Sequence, residues 1–344
     1  MANRDENFRY GHIRLAIGRA DALTRNRSVV EQKGTALVTV AAVGQQHSVA
    51  SVLAFVRPVN DAFGLTLVDE SDVMVLDRAQ SEALPDDGVN RVTFSVDGAL
   101  VGYATFTAAG GDLACEPAHR THCAQWLAAC KDRPERVWVR GLAPTNWQEV
   151  TALGTVTRRL AVCVRTLAER AGEGAHRAGT VVRSFVPEQD ADDVVALLAR
   201  AYAGTPEGTW DAAQYAARLA YPWFRVEDLL LATDSSGTLL GVHWLKRRDE
   251  HTGEVYNLAV DPAFAGGGVG ALLLHAGLKH LAALGLTHIV LWVDAANAPA
   301  LALYAKAGFE VHAYDVELEL TARQDVSGAS SEPRLVREPG GTTL

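Results

Sequence analysis

Along residues 185–320 the apolar positions change period repeatedly, and each change marks an element. Val194, Val195, Leu198 and Ala201 recur at helical spacing, which predicts a helix from Ala191 to about Tyr202 with Asp190 as its N-cap. Gly204-Thr205-Pro206 stops it, and a second helix is expected from Ala212 to Leu219, before Pro222. Leu229 to Thr233 and Leu239 to Lys246 are apolar runs joined by the turn sequence Asp234-Ser235-Ser236-Gly237, a hairpin. Glu254 to Val260 reads as a third strand, closed by Asp261-Pro262. A glycine-rich loop, Ala263 to Gly270, then opens into a long helix with Leu274, Leu278 and Leu281 on one side. His288 to Val293 is a buried strand. Pro299 to Lys306 is a short helix with proline in its first turn and Gly308 as its stop. Val311 to Leu320 is the last strand, and from Thr321 the Ser, Gly, Pro and charged residues predict a disordered tail over 321–344.

The first half repeats this plan weakly. Asp97-Gly98-Ala99-Leu100-Val101-Gly102-Tyr103 parallels Ser236-Gly237-Thr238-Leu239-Leu240-Gly241-Val242. Val137-Trp138-Val139, a short helix around Gln148 and then Gly154 parallel Val290-Leu291-Trp292, the helix at Leu301 and Gly308. A repeat of about 140 residues is a domain rather than a solenoid unit. Two copies of one α/β fold with a mixed sheet are therefore expected, over 35–170 and 180–320, after an extension over 1–34.

Composition narrows the function classes. The 344 residues are 48% hydrophobic and 21% charged, enough for two cores. No apolar run approaches the roughly 20 residues of a membrane span, and the charged N-terminus is no secretory signal, so a cytoplasmic protein without a membrane partner is expected. The net charge of −9 lies entirely in the second half: residues 1–180 carry 20 basic and 20 acidic side chains, residues 181–344 carry 12 and 21. That sign disfavours nucleic acid and suits a small amine, or it only keeps the protein in solution. Cys115, Cys123, Cys130 and Cys163 form no C-x-x-C pair, so no metal site is expected and reduced thiols are.

The loop from Ala265 through Gly266, Gly267, Gly268 and Val269 to Gly270 is the most informative segment. Glycines let a backbone approach a ligand closely, and the N–H groups at the following helix N-terminus favour an anion such as a pyrophosphate. No Gly-Lys-Ser/Thr follows, so it is not a P-loop, and its place after a hairpin does not suit a dinucleotide fingerprint.

Strand, Asp261-Pro262, Gly268-x-Gly270, long helix, strand, Asn297, then Leu303-Tyr304-x-x-x-Gly308-Phe309 together resemble the GNAT superfamily of N-acetyltransferases over the whole second half. Pro206-Glu207, Trp210, Pro222-Trp223-Phe224, Gly241-x-His243-Trp244-x-Lys246, Gly253-Glu254-Val255-Tyr256 and Val260-Asp261-Pro262 narrow the resemblance to the mycothiol synthases, themselves tandem folds. The resemblance implies two tandem GNAT-like acyltransferase domains, a sheet splayed between its fourth and fifth strands, and acetyl-CoA as cosubstrate in the gap. It also implies a small primary amine as acceptor, the cysteinyl amine of the mycothiol precursor. Glu254 is then the general base, directly or through water, on a strand face shared with Tyr256, Leu258 and Val260. Tyr304 is the general acid for the leaving thiolate. A backbone N–H near Leu258, Ala259 and Val260 meets the oxyanion, and Asn297 contacts CoA. His243, mid-strand, and Asp294, at a strand end, are candidate substrate contacts, while Trp210 and Trp292 read as packing. Two departures stand out: Ala265 replaces the basic or amide residue that opens the family's loop, and Ala296 replaces an acidic residue before Asn297. In the first half both glycine positions of the loop are filled, by Cys123 and Gln125, which points to a structural copy. Two further readings remain open: a secondary-metabolite or antibiotic N-acetyltransferase diverged from this group, and an inactive acyl-CoA-binding sensor. Monomer and homodimer are equally compatible with the sequence.

Overall fold

The computed structural model describes residues 28–30, 38–56, 75–120, 134–145, 147–167 and 177–320, with Cys123, Trp126 and Leu127. Most of the 1–34 extension, Cys130, Gln125 and the 321–344 tail lie outside the described residues. The first half runs β1 (Ser28–Val30), β2 (Val38–Ala42), α1 (Val49–Val56), β3 (Asn90–Val96), β4 (Ala99–Phe106), β5 (Gly111–Cys115), β6 (Arg136–Leu142) and β7 (Gly154–Thr166). The second runs β8 (Thr180–Ser184), α2 (Pro187–Ala201), α3 (Ala212–Leu219), β9 (Leu229–Asp234), β10 (Leu239–Arg247), β11 (Thr252–Val260), α4 (Val269–Ala283), β12 (His288–Asp294), α5 (Ala298–Lys306) and β13 (Glu310–Leu320).

All strands among the described residues join one 13-stranded sheet in the order β1-β2-β3-β4-β5-β6-β13-β7-β12-β11-β10-β9-β8. The two matching hairpins of the sequence repeat are β3–β4, turned at Asp97-Gly98, and β9–β10, turned at Ser236-Gly237. The final strand of each half is exchanged: β13 lies between β6 and β7, and β7 between β13 and β12. The β7–β13 ladder runs antiparallel from Glu310↔Val164 to Leu320↔Gly154. Exchange leaves no exposed ladder where the halves meet, which removes two edges from solvent.

Among the described residues only two neighbouring pairs are parallel, β5–β6 and β11–β12, one in each half. Each helix layer has an apolar reason. Leu273, Leu274, Leu278 and Leu281 of α4 pack on Leu240, Leu245, Val255 and Leu291 of the sheet. On the opposite face Val194, Leu197 and Leu198 of α2 and Tyr215 of α3 pack on Leu231, Val242 and Trp244. Each such side chain contributes about 1.5–3 kcal/mol of burial. The α2 start differs from the expected one. Pro187 takes the first helical position and Asp190 lies inside the first turn, accepting a hydrogen bond from Val186 N–H at 2.8 Å. Arg183, bonded to its carboxylate at 2.7 Å, holds Asp190 below its ordinary pKa. Asp211 caps α3 in a reciprocal box with Gln214.

Candidate active site

β11 and β12 pair over four positions, from Thr252↔His288 to Val255↔Leu291, and then diverge. The divergence leaves the ends of both strands, Tyr256 to Val260 and Trp292 to Asp294, flanking an opening. A bulge at Tyr256 marks its start, because Trp244 pairs with Asn257 while the next residue, Leu245, pairs with Val255. The bulge corrects the expected single face. Glu254 and Tyr256 lie on the side of Trp223 and Trp244, whereas Leu258 and Val260 pack in the α4 layer.

The backbone of β11 also divides. Asp261 N–H donates to Leu240 of β10 at 3.0 Å. Strand alternation then turns the N–H groups of Val260 and Leu258 toward the opening and that of Ala259 toward β10. Tyr202, at the end of α2, confirms this side: its hydroxyl donates to Leu258 O at 3.1 Å and to Asn257 Oδ1 at 2.7 Å. Of the three expected oxyanion donors, Leu258 and Val260 therefore face the gap and Ala259 does not.

Glu254 is buried and ion-paired, its Oε2 receiving Arg248 Nη1 at 2.7 Å. Arg248 in turn lies over the Trp292 ring, 5.4 Å from its centroid. Trp292 Nε1 donates to Asp315 Oδ2 at 2.9 Å, and Asp315 accepts from Arg140 and from Gly141 N–H of the first half. Trp292, read as packing, is thus one link of a chain that ends on Glu254. Beside Glu254 on the same face, Lys246 stands 4.8 Å from the centroid of Trp223, and Trp223 packs edge-on to Tyr256 at 4.9 Å. The opening is therefore bordered by a carboxylate, two cations and an aromatic wall. Arg248 was not singled out from the sequence. Its signal was the run Lys246-Arg247-Arg248, which a hairpin turn brings back onto Glu254.

The glycine loop follows β11 directly. Gly266 and Gly268 have φ of 76° and 81°, a conformation that L side chains rarely adopt, and a Cβ on either would meet no protein atom within 4 Å. Gly268 is the N-cap of the 15-residue α4, so the free N–H groups of its first turn follow directly on a run of three glycines. Ala265, the cap of a short 3₁₀ turn over Pro262–Phe264, brings no polar group. A Cβ on Gly270 would stand 3.5 Å from Leu303 and from Val260, so this glycine faces α5 and β11. This cradle fits the diphosphate of acetyl-CoA.

α5 carries the other expected residues. Tyr304 is 7% exposed, packs edge-on to Phe309 at 5.7 Å, and burial pushes its phenol above the ordinary pKa. Asn297 caps α5, accepting from Ala300 N–H at 3.1 Å, and is otherwise exposed. Asp294 pairs with Arg158 of β7 at 3.3 Å, so its charge is already matched. Both ends of this segment are held by β7: Ala295 N–H donates to Arg159 O at 2.8 Å, and Arg165 donates to Ala307 O at the end of α5.

His243 departs from its expected position. It is fully buried, and its Nδ1 bonds Leu273 O of α4 at 2.8 Å. Burial lowers its pKa to about 4. Its ring fills the space left by Gly277, where a Cβ would stand 2.2 Å from His243 Cε1. Trp244, its neighbour, is buried on the opposite face among Tyr215, Trp223, Phe224 and Tyr256, so neither residue faces the gap alone.

The matching place in the first half is filled. β5 and β6 pair only from Gly111↔Val137 to Leu113↔Val139, but Arg120, 6% exposed, donates across to Gly141 O of β6 at 3.2 Å. The thiols of Cys115 and Cys123 lie 2.6 and 3.0 Å from where a Gly102 Cβ would stand. Cys115, Cys123 and Cys163 are free and buried. Among the described residues no group of three or more His, Cys, Asp or Glu is placed to hold a metal ion, and no helix is long and apolar enough to cross a membrane.

The acetyltransferase (GNAT) family profile matches residues 193–309, which span the opening, the loop and α5. A mycothiol acetyltransferase of Amycolatopsis mediterranei is 36% identical over 260 residues, covering 68% of this chain and 86% of that protein. Another, of Clavibacter michiganensis, is 43% identical over 196 residues, 56% of this chain and 63% of the relative. Among solved structures, a GCN5-related N-acetyltransferase from Sphaerobacter thermophilus aligns with a TM-score of 0.59 at 18% identity, over 81% of this chain and 94% of that one. A tandem GNAT protein from the clavulanic acid biosynthesis pathway aligns at 0.53 and 14%, over 82% and 97%. These two share the fold. A splayed sheet, a glycine loop and matches of this extent have one reading: the chain belongs to the acetyltransferase (GNAT) family as a tandem, acetyl-CoA-dependent N-acetyltransferase akin to the mycothiol acetyltransferases.

Proposed function

We propose that the acceptor is the cysteinyl amine of the mycothiol precursor and that transfer runs in the β11–β12 opening of the second half. The observation that carries this reading is the placement of Glu254, beside the divergence of the two strands and one strand length from the glycine loop. An ammonium at neutral pH has no lone pair for attack, so a group must take its proton. Glu254 does so through Oε1, directly or through a water, while Arg248 holds Oε2. Acetyl-CoA supplies the activated acyl group when bound. The backbone N–H groups of Leu258 and Val260 donate to the carbonyl oxygen as it gains charge. Tyr304, kept protonated by its burial, returns a proton to the departing sulfur. The α4 N-terminus and Gly268 hold the diphosphate, and Asn297 borders the same cleft. Trp223, Tyr256 and Lys246 line the acceptor side.

The test is thiol release from acetyl-CoA over a panel of primary amines: the mycothiol precursor, its sugar portion without cysteine, free cysteine and aminoglycosides. Highest kcat/KM on the precursor is expected. Preference for an aminoglycoside would move the protein to secondary-metabolite acetylation, and thiol release with none would leave acyl-CoA binding alone.

A further inference from the structure

The glycine loop lacks a cation of its own. No Lys or Arg occurs between Arg248 and Lys279, and Ala265 stands where the loop would carry a basic or amide side chain. The acid of the loop, Asp261, is already paired with Arg200 and caps the Pro262–Phe264 turn. The segment joining the two halves brings a guanidinium to the same place. Nη2 and Nε of Arg177 lie 3.7 and 3.8 Å from where a Cβ on Gly267 would stand. Its third nitrogen, Nη1, donates to Thr180 Oγ1 at 2.8 Å, at the first residue of β8. Arg177 makes no ion pair among the described residues, and it directly precedes the half that carries all of the negative net charge.

We propose that Arg177 is a binding residue for the diphosphate of acetyl-CoA, supplying from the inter-half segment the charge that Ala265 has given up. Thr180 fixes one edge of the guanidinium, and the other edge meets the phosphate oxygens held by the N–H groups of α4. A planar guanidinium suits this work because it offers two parallel donors to a phosphate and never loses its charge. The inference rests on the loop being the acetyl-CoA site. It adds that the cation of that site belongs to neither repeat but to their junction.

The experiment measures binding, not turnover. Calorimetry of CoA and of 3′-dephospho-CoA with wild type, Arg177→Ala, Arg177→Lys and Gly268→Val separates the possibilities, with apo melting temperatures as the check on folding. For Arg177→Ala the expected result is a Kd raised roughly tenfold for both ligands, the loss of one charge-assisted hydrogen bond. A flatter dependence of Kd on salt should accompany it, and Arg177→Lys should restore part of the affinity. Equal Kd values for wild type and Arg177→Ala would overturn the proposal while leaving the loop site intact. A loss seen with CoA but not with 3′-dephospho-CoA would overturn it too, by moving the cation to the 3′-phosphate. Unchanged affinity in Gly268→Val would instead remove the loop, and this inference with it.

Discussion

Arg248 holds one oxygen of Glu254 and leaves the other without a partner among the described residues, which sets what a single atom there is worth. Replacing Glu254 by Gln preserves shape and removes the proton acceptor. Turnover at neutral pH is expected to fall by about 10²–10⁴-fold, with part returning at higher pH where more amine is already unprotonated. A raised KM at unchanged kcat would assign Glu254 to holding the cationic amine instead. His243 makes a second prediction at this scale. Its folded pKa of about 4 lies below the ordinary 6.5, so the unfolded chain takes up a proton on acidification before the folded one does. Stability present above about pH 6.5 is therefore lost as the pH falls toward 4, by on the order of 3 kcal/mol in all. His243→Asn keeps a donor near the Nδ1 position but does not titrate. Its melting temperature should drop less than that of wild type between pH 7 and pH 5, and an identical drop would acquit His243.

In the proposed reading the glycine loop acts through its backbone and not its side chains. Gly268 and Gly237 make a controlled comparison: φ is 81° and 87°, and a Cβ on either meets no protein atom within 4 Å. Alanine at either position costs a similar strain, about 1–2 kcal/mol. Only Gly268→Ala is expected to weaken CoA binding, since Gly237 lies in the β9–β10 turn. Equal effects on affinity, read by calorimetry, would mean that the loop contributes stiffness rather than a surface. The same elements show how far local pattern reaches. The α3 range, the β9–β10 hairpin and the loop-to-α4 junction are legible from turn residues and apolar spacing. The β11 bulge is not, because two strands of nine residues each carry no sign of which residue will be left unpaired. That one residue moved Leu258 and Val260 to the face opposite Glu254.

At the scale of the molecule, β7 belongs to the first half by sequence and to the second by position. It pairs with β12 from His288↔Thr166 to Asp294↔Leu160, and its Arg158, Arg159 and Arg165 fasten the segment that bears Asn297 and Tyr304. A chain cut to residues 177–320 would lose both partners of β13 and one of β12. It is expected to aggregate or to melt without cooperativity, and to recover when residues 1–176 are supplied as a second chain. A cooperative melt near that of the whole protein, followed by circular dichroism, would show that β13 can pair directly with β12.

The sequence by itself determined the repeat, the order of helices and strands from α2 onward and the glycine loop. These are local properties: period, turn residues and residue type act over a few positions. Tertiary structure alone decided the strand exchange, the burial of His243 against Gly277, the pairing of Asp294 with Arg158 and the relay from Arg140 through Asp315 and Trp292 to Arg248. Each depends on residues tens to hundreds of positions apart, whose approach is set by which edge of a sheet a strand finds, and no spacing along the chain records that choice.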